Sequence, residues 1–110
     1  MNVKDFSEKL GLKILTGETG LDKEINGMYV CDLLSWVMSH ATKGNAWISV
    51  LTHLNVVAVA LLTEVSCIIA PENITVEEPT IKKAQQEGIV ILSSDMTTYE
   101  LCCKAHDLGI

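Results

Sequence analysis

From Ile25 to Leu108 the chain alternates short apolar runs with longer segments of helical character, and this alternation constrains its fold more than any other feature. Ile25–Cys31, Ala46–Leu51, Ser66–Ala70 and Ile89–Leu92 read as strands, each followed by a helical stretch. Continuously apolar strands separated by helices predict a parallel sheet covered on both faces. The right-handed crossover rule then leaves few topologies. The expected fold class is α/β, with the sheet mostly parallel and helices on both faces in one three-layer domain spanning residues 1–110.

Local signals place the elements. Asn2 is a cap for a first helix with Val3, Phe6 and Leu10 on its inner face, and Gly11 ends it. Lys13–Leu15 forms a short strand, and Gly27 allows close backbone approach in the next one. Asp32 is expected to cap a helix running to about Ala41, with Leu33, Leu34, Val37 and Ala41 inward. Leu54–Val65 is apolar nearly all round, so it predicts a helix buried in the interior or in an interface. Pro79 suits the first position of the following helix and Gly88 its end. Thr97 with Glu100 forms a capping box for the last helix, whose inner stripe is Leu101, Cys102, Ala105 and Leu108. Glu100 and Lys104 are ordered for an i,i+4 pair. Trp36 and Trp47 are expected as core or interface anchors.

A chain of 110 residues with 48% hydrophobic and 20% charged residues suffices for one core. Its net charge is −6, and all eight basic residues are scattered lysines. Nucleic-acid binding needs clustered basic surface, so nucleic acid is excluded as an expected partner. The start of the chain resembles a helix-turn-helix, but Lys13-Ile14-Leu15-Thr16-Gly17 stands where its second helix would be.

The start also lacks the basic and apolar regions of a signal peptide. Cys31, Cys67, Cys102 and Cys103 have spacings suited to neither zinc nor a disulfide framework, so reduced thiols in the cytoplasm are expected. Gly44–Thr63 has no formal charge over 20 residues, long enough to cross a bilayer. Thr52, His53 and Asn55 near its middle favour two buried elements joined by a polar turn, so no membrane association is expected.

Ligands of open parallel sheets bind beyond the carboxyl ends of the strands. That rule gathers Asp32, Ser35, Thr52, His53, Asn55, Ser93, Ser94 and Thr97 as candidate ligand-binding residues, beside helix N-termini that favour anions. Each has a structural alternative. Asp32, Asn55 and Thr97 are also capping types, and Ser93 and Ser94 are ordinary loop residues. His53, between two apolar elements, is either a buried histidine satisfied by backbone or a ligand and pH-responsive group. Cys102 and His106 share a helix face without further metal ligands, and Glu72, Glu77 and Glu78 read as a solvated loop. Asp32 and His53 are the only acid–base pair. No nucleophile elbow, phosphate loop or dinucleotide fingerprint accompanies them, so no catalytic residue, metal or cofactor is expected.

In order and spacing, several segments resemble the small DRTGG domains. They include Leu10-Gly11-Leu12-Lys13, Ile25-Asn26-Gly27, Tyr29-Val30-Cys31-Asp32-Leu33-Leu34-Ser35, Thr52-His53-Leu54-Asn55, Gly88-Ile89 and Thr97-Thr98-Tyr99-Glu100. Such domains are similar to the N-terminal domain of HPr kinase/phosphorylase and occur as regulatory inserts in phosphotransacetylases and CBS-domain pyrophosphatases. The resemblance implies a Rossmann-like domain without catalytic machinery. It also implies a regulatory role, with some stand-alone members found beside redox enzymes of anaerobes. The sequence departs from the pattern at Ala70-Pro71-Glu72, where a Gly-Gly pair would follow the strand.

Two functions are therefore expected as alternatives. One is a regulatory module that binds a small anionic or nucleotide ligand at the carboxyl edge. The other is a protein-interaction or dimerisation module, its partner a second copy or a metabolic or redox enzyme.

Overall fold

A computed structural model describes all residues, Met1–Ile110. The elements follow in the order α1 (Val3–Leu10), β1 (Lys13–Ile14), β2 (Gly27–Val30), α2 (Leu34–His40) and β3 (Asn45–Ile48). Then come α3 (Asn55–Thr63), β4 (Cys67–Ala70), α4 (Glu78–Glu87), β5 (Ile91–Ser93) and α5 (Thr98–Asp107). The five strands form one sheet in the order β1-β5-β4-β3-β2. All neighbours are parallel except β1, which runs antiparallel to β5 with Lys13 opposite Ser93 and Ile14 opposite Leu92. This is the expected three-layer α/β architecture.

Strand alternation sends successive side chains to opposite faces. Trp47, Ile68, Ala70 and Ile91 pack with Val37 of α2, Val56, Val57 and Ala60 of α3 and Ala84 of α4. Ala46, Ile48, Cys67, Ile69 and Leu92 pack with Val3 and Phe6 of α1 and with Leu101 and Ala105 of α5. The inner strands β3, β4 and β5 are buried on both sides, which is why their sequences are continuously apolar.

Two helices begin as their sequences dictate. Asn2 Oδ1 accepts from the Asp5 N–H (2.8 Å) at α1, and Gly11 ends that helix in the left-handed region. Thr97 and Glu100 form both halves of the capping box at α5. Because Glu100 Oε1 accepts from Thr97 N–H and Oγ1, its carboxylate stays at the cap, and the expected pair with Lys104 does not form.

Other expectations are corrected. Asp32 does not cap α2; Leu33 holds that position without a side-chain bond, and is itself exposed. Asn55 does not cap α3, because it is already the first helical residue after Leu54. Pro79 is the second residue of α4, after Glu78. Trp36 is half exposed and stacks on His40 with ring centroids 3.8 Å apart, while Trp47 alone is the core anchor. Gly27 is not sterically required, since a methyl group there would meet only Asn45 Nδ2 at 3.6 Å. Gly44, at φ +89°, is the tight position, where a Cβ would strike the Asn26 amide.

The uncharged stretch from Gly44 to Thr63 resolves into β3 and α3 joined by a polar turn. No helix is long and apolar enough to cross a membrane.

Candidate functional site

The helices run back across the sheet, so α2, α3, α4 and α5 all begin at the carboxyl ends of the parallel strands. The eight candidate residues therefore lie along one edge, but they differ in what remains free.

Asp32 leaves β2 and reaches across to β3. Its Oδ1 accepts from the buried Ser49 hydroxyl (2.8 Å) and from the Val50 N–H (3.0 Å). Ser49 Oγ in turn accepts from the Leu51 N–H (3.1 Å). Asp32 is better satisfied by these groups than by its own helix, which explains the vacated cap. One oxygen anchors the turn and the other faces solvent.

Thr52 is bound from both sides by α4. Its hydroxyl donates to Glu77 Oε2 (3.4 Å), and its carbonyl accepts from the Thr80 hydroxyl (2.8 Å). Glu77 and the fully buried Thr80 are thus part of this edge, although the sequence reading placed Glu77 in a solvated loop and did not single out Thr80. Only their separation of 25 and 28 residues from Thr52 hides the link, because no local spacing rule covers it.

His53 is exposed, not buried between apolar elements. Its Nδ1 lies 2.7 Å from Asn55 Oδ1 and 3.4 Å from the Asn55 backbone N, which leaves Nε2 without a protein partner and open to solvent. Ser35, in the first turn of α2, is exposed, and its hydroxyl has no protein partner.

The residues after β5 serve the fold. Ser94 is buried, donates its N–H to Ala70 O (3.0 Å), accepts from the Asn73 N–H (2.7 Å), and accepts at Oγ from the Met96 N–H (3.0 Å). Ser93 ends the ladder between β1 and β4. Thr97 is consumed by the cap. The free polar groups are therefore Ser35, His53 with Asn55, and the outer oxygen of Asp32. Asp32 and His53 are bonded to different partners and form no relay.

Charge at this edge is lopsided. Asp32, Glu72, Asp95, Glu77 and Glu78 are all exposed there, against Lys13 beside Ser93. A cleft of about 590 Å³ lies at the opposite, amino edge between the ends of α3 and α4. Its polar groups are already engaged. Lys43 pairs with Glu64 (3.6 Å), Glu87 with Lys83 (3.1 Å), and Lys23 Nζ donates to Gly88 O (3.0 Å). Cleft volume and free hydrogen-bonding capacity therefore fall at opposite ends of the sheet.

No family model matches the chain, and no curated protein matches its sequence. Among solved structures it is similar to the CBS and DRTGG domains of the regulatory region of Clostridium perfringens pyrophosphatase, a structure complexed with the activator diadenosine tetraphosphate. The TM-score is 0.67 at 12% identity, over 91% of this chain and 44% of that one. The likeness establishes a shared fold. This chain spans less than half the length of that neighbour.

Proposed function

We propose that this chain is a non-catalytic regulatory module that binds a small ligand at the carboxyl edge of its sheet. The observation that carries the reading is the group of uncommitted polar atoms there: Ser35 Oγ, His53 Nε2, Asn55 Nδ2 and the outer Asp32 oxygen. Support comes from the shared fold with a regulatory region whose activator is a dinucleotide. The acidic rim refines the ligand class. It disfavours a bare inorganic anion, whereas an outward carboxylate at a strand end accepts well from sugar hydroxyls. A nucleoside or nucleotide read through its sugar and base suits this edge.

A thermal-shift panel of adenosine, mono- and dinucleotides and inorganic phosphate tests this. A ligand at about one hundred times its Kd adds about 2.7 kcal/mol of stability. We expect a shift with a nucleotide and none with phosphate. The exposed pair His53→Ala and Asn55→Ala should abolish that shift without lowering the Tm of the free protein. Unchanged affinity in the double variant would refute the site.

A second reading is favoured by one observation, the outer surface of α2 and α3, which holds no Asp, Glu, Lys or Arg and exposes Trp36, Met38, Leu61 and Leu62. On that reading the module binds a protein, and the carboxyl-edge residues only tie loops together.

A further inference from the structure

We infer that the outer face of α2 and α3 is a two-fold interface between two copies of this chain. The inference is independent of any ligand at the carboxyl edge.

Charge is partitioned by helix. α1 and α4 carry four charged residues each and α5 carries three, whereas α2 and α3 contain no Asp, Glu, Lys or Arg. The two uncharged helices lie side by side on the same face of the sheet. Their exposed positions include a set of apolar side chains, Trp36 and Met38 on α2 and Leu54, Ala58, Leu61 and Leu62 at the start and along the length of α3, beside the uncharged Ser35 and Ser39, His40 and Asn55. Leu62 is 65% exposed and Trp36 52% exposed, although both are side chains that proteins ordinarily cover.

The area is sufficient for a stable partner. These side chains, with Leu33, expose on the order of 600 Å². That is at the top of the range of about 300–600 Å² for the largest apolar patch on a monomer, and near the ~800 Å² that each partner contributes to a standard interface.

Charge selects the occupant. Each copy carries a net charge of −6, so two copies repel through most of their surfaces. The α2–α3 face is the surface on which that repulsion is least. A two-fold contact must be self-complementary, which an uncharged apolar face satisfies and a face of one sign does not. A different protein would ordinarily be steered and selected by complementary charge, and this face offers none.

Sedimentation velocity of the full chain from micromolar to about 100 μM tests the inference, with three variants. Leu62→Glu and Leu62→Lys place opposite charges on the face at its most exposed α3 side chain, a position the fold does not need. Lys104→Glu alters charge on α5, outside the face. The expected wild-type mass is about 24 kDa, twice 12.0 kDa. Both Leu62 variants should weaken self-association at least about tenfold, with circular dichroism unchanged, while Lys104→Glu remains dimeric. Ala58→Gln, a milder change at the same surface, should weaken it in the same direction if either Leu62 variant misfolds. A wild-type protein that stays at 12 kDa over the whole range would overturn the inference and assign the face to a different partner. A dimer that survives both Leu62 substitutions would overturn it as well.

Discussion

Asp32 shows how a single carboxylate can matter more for tying elements together than for capping the helix that follows it. Its oxygen holds a buried hydroxyl and a backbone N–H at the end of β3. Replacing it with alanine leaves the Ser49 hydroxyl without its acceptor, at a cost of about 1–2 kcal/mol in urea denaturation. Three residues that are not glycine hold the left-handed conformation: Glu64, Glu72 and Asn73. Glu64 terminates α3 at φ 58°, and its only ion pair, with Lys43, is solvent-exposed. Glu64→Gly should therefore stabilise the protein by about 1 kcal/mol, a Tm rise of several degrees. Glu72 and Asn73, in the loop after β4, hold this conformation one after the other, at φ 58° and 55°. Their backbone is pinned by bonds from the Glu72 N–H to Met96 O (2.9 Å) and from the Asn73 N–H to Ser94 O. Cys67, fully buried beneath α1 and α5, has its thiol pushed from 9.0 up to about 12 by burial. The sign follows directly. Above pH 9 the unfolded chain ionises this thiol and the folded chain does not, so stability present below pH 9 is lost as pH rises toward 12. The loss amounts to about 4 kcal/mol at most. Cys67→Ala should flatten that alkaline limb in pH-dependent denaturation, and an unchanged limb would assign it elsewhere.

At the scale of elements, what was legible depended on whether the stabilising partner is near in sequence. The Asn2 cap and Gly11 end of α1, the Gly88 end of α4 and the capping box of α5 use partners three or four residues away, and those helices lie where the spacing predicts. Thr97→Ala should cost about 1 kcal/mol, because it removes the side-chain acceptor of the Glu100 N–H. The start of α2 departs from its sequence signal for the opposite reason: Asp32 is claimed by Ser49, seventeen residues away. At α3 the helix starts one residue early, at Asn55, so neither helix has a side-chain cap. Such short, uncapped helices are held by tertiary burial, not by propensity. The strands were read too long because Val50 and Leu51 remain apolar after the ladder ends at Ile48, where the backbone turns to meet Asp32 and Ser49. Trp36 and Trp47 have the same composition signal, and only their faces separate them: one points outward from α2, the other lies under it.

For the whole molecule, alternation and crossover handedness were enough to establish the architecture and the edge on which a ligand is expected. They could not tell free polar groups from committed ones. Ser94 and Thr97 are consumed by the turns they sit in, while Glu77 and Thr80 join the edge from a helix that sequence spacing does not connect to Thr52. The same limit applies to the amino-edge cleft, which is built by the ends of two helices and four loops and carries no motif at all.

The two edges are separated most directly by ¹H–¹⁵N NMR titration of the uniformly labelled chain with an adenine mono- or dinucleotide. The account predicts saturable shifts confined to the N–H groups of Ser35, Val50, Leu51 and residues Thr52–Asn55, at the carboxyl ends of β2 and β3. Shifts centred instead on Lys23, Lys43, Glu64 and Glu87 would move the site to the amino-edge cleft and contradict it, as would a spectrum that no nucleotide perturbs.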